Sequence, residues 1–117
     1  MIMTEMIMNA NELKKRYDAG ERDFRKVKLS EAFLGGINLV EVNLREAEMM
    51  KVNLTGANLK GVNLREANLT GANLSEAILQ DANLIDSLMA ADLAGSNLRG
   101  VNFSEADFSK ADFSHTN

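Results

Sequence analysis

From Phe24 onward an apolar residue returns at every fifth position: Leu29, Leu34, Leu39, Leu44, Met49, Leu54, Leu59, Leu64, Leu69, Leu74, Leu79 and Leu84. Two residues before each stands a smaller apolar residue, as in Val27, Ala32, Ile37, Val42 and Ala47. Asn usually sits between them, at 38, 43, 53, 58, 63, 68, 73, 83, 97 and 102, and Asp takes that place at 92, 107 and 112. A five-residue period suits neither ordinary element. On an α-helix each step of five advances about 500°, which scatters the leucines around the whole surface. On a flat strand an odd spacing throws alternate leucines to opposite faces. All of them are buried if the chain turns a right angle every five residues, so that Leu and the small residue two before it both point to a common axis. Four sides then close a coil of about twenty residues, and coils stack at about 4.8 Å through backbone hydrogen bonds.

Such a fold needs turns and caps. The Asn and Asp side chains suit corners because they bond nearby backbone, so turn chemistry outweighs sugar or ice binding for this Asn-rich series. Gly36, Gly56, Gly61, Gly71, Gly95 and Gly100 all fall two after a central residue, where a turn calls for positive φ. The expected domains are a flexible tail over 1–8, a capping helix over 9–20 and a solenoid over 21–117. In the helix Asn9 is the cap with Glu12 three residues on, Met8 and Leu13 form a hydrophobic staple, and Gly20 ends it. Leu13 and Tyr17 share the face that lies over the first coil.

"ANLTGANLSEA" and its neighbours resemble the pentapeptide-repeat family, written A(D/N)LXX, over about residues 24–114. The resemblance implies an all-β solenoid, a right-handed quadrilateral β-helix. Here it would have just under five coils and an N-terminal α-helical cap, and the hand follows from the family alone. The stretch "ELKKRYDAGERDF" is similar to that of cyanobacterial members.

The rhythm breaks once. Met89 keeps time from Leu84, but the next centre is Leu93, and Leu98, Phe103, Phe108 and Phe113 then resume the five. The one-residue slip between Met89 and Leu93 shortens a corner near Ala90, and Leu88 and Met89 compete for the interior. It is either a tolerated irregularity or a patch of Ile85 and Leu88 for a partner. The last coil carries Phe103, Phe108 and Phe113 as centres. Those rings either plug the end themselves or mediate end-to-end dimerisation, which the resemblance also implies for some members.

Residues twenty apart stack, so one edge carries Arg25, Arg45 and Arg65 followed by Ile85, beside Lys26, Glu46, Glu66 and Asp86. The plain reading is a solvated face whose opposite charges offset one another, the sharper one an anion or partner site. Phe33, Val40, Met50 and Ile78 are outward apolar residues on scattered columns.

Composition narrows the function. The 117 residues include five Phe, one Tyr, no Trp and no Cys, with a net charge of −4. Thiol chemistry and Cys-ligated metals are excluded, and a direct nucleic-acid partner is not expected. The start "MIMTEMIMNA" is short, carries Glu5 and lacks a basic lead, so a cytoplasmic protein without a membrane span is expected. The Met residues there leave the natural start open. With a filled bore, a single His115 and no phosphate loop or metal-ligand spacing, no enzyme and no cofactor are expected. The function expected is a protein-interaction or scaffold module with an unknown partner. The alternative that the resemblance implies is a DNA-mimicking inhibitor of DNA gyrase, of the quinolone-resistance type. That role fits poorly, since residues 20–117 hold 14 acidic against 10 basic residues and fewer than five coils reach only about 22 Å.

Overall fold

A computed structural model describes residues 7–117. The chain forms one helix, α1 (Ala10–Asp18), and then a stack of short parallel pairings. Asp23 pairs with Asn43, Asn43 with Asn63 and Asn63 with Asn83, and three further columns repeat the step of twenty residues. The result is a four-sided solenoid. Phe24 and the central Leu and Met residues from 29 to 93 are all buried, as are the small residues from Val42 to Ala82 two before each.

The corners follow from a repeated turn. The carbonyl of every central residue but Met89 accepts from the N–H three residues on, as from Ala47 to Leu44 at 3.0 Å. Except after Met89 and Phe108, the residue two after the centre has positive φ, which defines a type II turn. Glycine fills that place at Gly56, Gly61 and Gly71. Among the described residues eleven other than glycine also hold positive φ, including Glu41 at 60° and Glu46 at 62°. This conformation costs roughly 1–2 kcal/mol for a residue with a Cβ. It persists because it aims the N–H along the stack, where Glu41 donates to the Lys60 carbonyl at 2.8 Å and Glu46 to that of Arg65 at 2.9 Å.

The Asn column completes each corner. Asn43, Asn53, Asn63, Asn73 and Asn83 each accept through Oδ1 from the N–H two residues on, at 3.0–3.1 Å. These are Asx turns.

At the N-terminus Asn9 Oδ1 accepts from the Glu12 N–H at 2.9 Å, and Met8 and Leu13 are both buried. Gly20 (φ 98°) closes α1: its N–H donates to Tyr17 and that of Glu21 to Arg16, the paired bonds of a Schellman motif. The Arg22 guanidinium lies 3.7 Å over the Tyr17 ring and donates to the Tyr17 carbonyl at 2.8 Å, which pins the helix end to the first coil. A tail was expected over 1–8. Instead Ile7 pairs with Lys28, the Met8 N–H donates to the Lys28 carbonyl at 3.0 Å, and Met8 is buried. The rest of that expected tail, residues 1–6, lies outside the described residues.

At the slip, Met89 keeps the interior and Leu88 pairs outward with Asn68. The Ala91 N–H donates to the Met89 carbonyl at 2.7 Å, so a tighter three-residue turn replaces the type II corner. Pairing then spans nineteen residues, as in Asn83 with Asn102, before Asp92 and Asp112 restore twenty.

Two serines occupy small inward positions. Ser87 Oγ donates to the Leu84 carbonyl at 2.7 Å, whereas the buried Ser96 Oγ has no partner. An unsatisfied buried hydroxyl costs about 1–3 kcal/mol. Ser96→Ala is therefore expected to raise the melting temperature by several degrees, read by circular dichroism, and Ser87→Ala to give no such gain. A lower melting temperature for Ser96→Ala would contradict this assignment.

Candidate functional site

Since the bore is filled, the charged side chains of the solenoid stand outward, and only the Ser87 and Ser96 hydroxyls lie within it among the described residues. On the charged edge Arg25 grips Asp23 through two bonds of 2.9 Å, Arg45 donates to Glu66 at 3.0 Å, and Lys26 lies 3.7 Å from Glu46. Arg65 approaches Glu66 at 3.5 Å, and Asp86 takes part in no ion pair among the described residues. The Arg25 side chain holds the Asp23 carboxyl below its usual range, and Asp23 raises Arg25 in return. The structure thus brings Arg25, Arg45, Arg65, Glu46 and Glu66 together as a ladder of mutual neutralisation. Such exposed pairs are each worth ~0–1 kcal/mol.

Ile85 stands half-buried at one corner, and Leu88 is 44% exposed on the next face. The two are neighbours around that corner, with Asn68 and Asp107 paired to either side of Leu88.

The last coil is different. The rings of Phe103 and Phe108 meet edge to face at 5.3 Å, and Phe108 and Phe113 at 5.2 Å. All three converge across the bore, yet Phe103 remains 51% and Phe113 42% exposed. Around them, among the described residues, the N–H groups of Phe103, Glu105, Phe108, Lys110, Phe113 and His115 donate to nothing. The Ser109 and Ser114 N–H groups hold the Asp107 and Asp112 carboxyls below their usual range. His115 is exposed.

A further edge, not singled out by the sequence, lies at the other end. The first coil runs past Phe33, which is 82% exposed, beneath α1. A half-open cleft of about 400 Å³ lies on one side of Phe33, lined by Asn11, Lys14, Gly35 and Ile37 among others, and one of about 330 Å³ lies on the other, lined by Met8, Asn9 and Glu31. Only the placement of α1 turns a lone outward Phe into the centre of a groove.

Among the described residues no cluster of His, Asp and Glu is placed to hold a metal ion, and no helix is long and apolar enough to cross a membrane.

These geometries are those of a repeat solenoid, and sequence comparison gives the same class. The profile described as Pentapeptide repeats matches in eight copies, over residues 23–61, 53–89 and 87–117. The chain belongs to the pentapeptide-repeat family, and its solenoid is a right-handed quadrilateral β-helix. It is similar to the pentapeptide repeat protein alr5209 from Nostoc, with 34% identity, 93% of this chain and 88% of that one covered, and a TM-score of 0.58. The fold is also similar to that of Rfr23 from the cyanobacterium Cyanothece, at 22% identity, 91% and 92% coverage and a TM-score of 0.74. None of the curated proteins matches the sequence.

Proposed function

We propose that this chain is a non-catalytic protein-interaction or scaffold module. The observation that carries this reading is the filled bore: Leu, Met, Val and Ala close the interior from Val27 to Leu93, and rigid stacked coils present the polar side chains outward in separate columns. Catalysis requires convergent groups in a sheltered pocket, whereas flat faces of variable outward residues suit recognition of another protein. The gyrase-directed alternative has less support, because the basic and acidic residues of the charged edge neutralise one another.

The same module self-associates through its last coil, a second copy covering the phenylalanine rings and the free N–H groups around them. The partner contact on the side faces is tested by photo-crosslinking from the outward positions Glu48, Asn68 and Asn97 in host extract. Discrete protein adducts, identified by mass spectrometry, are expected. Absence of adducts at all three positions, or recovery of a topoisomerase whose supercoiling activity the chain inhibits, would overturn the reading.

A further inference from the structure

The first coil has four upper edges, and they are closed unequally. On the side of Lys28 the edge is completed by Ile7 and Met8, which add one parallel strand above it. On the side of Asn38 the Tyr17 hydroxyl donates to the Val40 carbonyl at 3.3 Å. On the side between them no described residue pairs with the edge. Within the stack a residue at Phe33's place uses both backbone groups on the coil before it: Asn53 donates to the Ala32 carbonyl at 2.9 Å, and its own carbonyl accepts from Leu34 at 2.7 Å. For Phe33 there is no preceding coil. Among the described residues its N–H, its carbonyl and the Gly35 carbonyl make no hydrogen bond.

We propose that this edge, roofed by α1, binds an extended peptide of a partner protein as one added parallel strand. The occupant is set by what it must satisfy. Main-chain pairing requires an extended backbone running parallel to residues 32–36, since every pairing in the stack is parallel. The residue facing Phe33 is apolar, because it covers an aromatic ring that is 82% exposed. Two residues upstream it is basic. There the groove is lined by Glu31, which has no ion-pair partner among the described residues, whereas Lys14 and Asp18 in the adjoining cleft neutralise each other at 2.7 Å. The peptide N–H after the apolar residue donates to the Phe33 carbonyl, the N–H two further on to the Gly35 carbonyl, and the carbonyl before it accepts from Phe33. Ile7 and Met8 show the same edge-filling one side away. The proposal rests on reading the chain as a protein-binding module and locates one site on it.

The test uses the full chain and a fluorescein-labelled, acetylated and amidated heptapeptide with isoleucine at its centre and lysine two positions before it. Saturable binding by fluorescence anisotropy is expected. N-methylation of the residue after the isoleucine removes one main-chain bond and is expected to weaken binding by about tenfold or more. Phe33→Asp, at an exposed position that leaves the core intact, should weaken it similarly. Glu31→Lys should weaken the lysine peptide and favour its glutamate counterpart. No saturable binding, or binding indifferent to N-methylation and to Phe33→Asp, overturns the proposal. So does a chain whose solution dimer is dispersed by Phe33→Asp while the peptide stays unbound, since a second copy then fills the edge. Side-face crosslinks that survive Phe33→Asp would preserve the wider module reading even if the peptide fails.

Discussion

Leu64→Ala is expected to lower the unfolding free energy by about 3–4 kcal/mol and the melting temperature by roughly 10 °C or more. Leu64 is fully buried in a middle coil, with Leu44 and Leu84 one coil before and one after. Its backbone is held on both sides, since its N–H donates to the Asn83 carbonyl at 2.8 Å and its own carbonyl accepts from Ala67 at 3.0 Å. The corner therefore cannot collapse into the space left by the lost isobutyl group, and the site sits at the costly end of large-to-small changes. The complementary change has the opposite fault. Ala67→Leu adds volume to an inward place where only a small residue fits, and overpacking costs about 1–3 kcal/mol. An outward control, Lys60→Ala, should stay within about 0.5 kcal/mol. Urea unfolding of all three variants checks the order. Equal effects at 60 and 64 would mean that the central residues do not share one core.

The second large effect is on assembly. Wild-type chain is expected to rise from 12.8 kDa toward twice that mass with increasing concentration in sedimentation equilibrium. Phe103→Ser combined with Phe113→Ser should hold it at 12.8 kDa. Both side chains are about half exposed in the single chain, and burying a Phe is worth about 1.5–3 kcal/mol. Removing both rings from each copy should therefore weaken association by about a hundredfold or more. Phe108, more deeply set between the two, is left in place to keep the bore closed. A wild-type mass that stays at 12.8 kDa throughout would defeat the self-association proposal.

Much of the molecule was legible before any coordinates. The five-residue period names its own inward positions, and the Asn column reports the corners, since each Oδ1 bonds the N–H that the spacing implies. The slip was visible between Met89 and Leu93, though not its resolution. Leu88 and Met89 are equally apolar, and it is pairing with Asn68 that sends Leu88 outward. Glycine at Gly36, Gly56 and Gly61 marks the turn place that takes positive φ, but nothing in the sequence extends it to Lys26, Glu31 and Glu41, where the axial hydrogen bonds of the stack impose it against the ordinary preference of those residues. Other features left no trace. Ile7 and Met8 read as tail because two residues carry no period, and only pairing with Lys28 attaches them. Phe33 read as one scattered apolar residue because its importance depends on where α1 lies and on which backbone groups the first coil leaves open.

Nuclear Overhauser contacts between isotope-labelled residues test the stacked quarter-turn arrangement most directly. The account predicts backbone contacts that climb one face from Asn43 to Asn63 and Asn83 in steps of twenty residues, and then to Asn102 in a step of nineteen. Contacts confined to neighbours three or four residues apart, or a step of twenty carried unchanged through Met89, would contradict it.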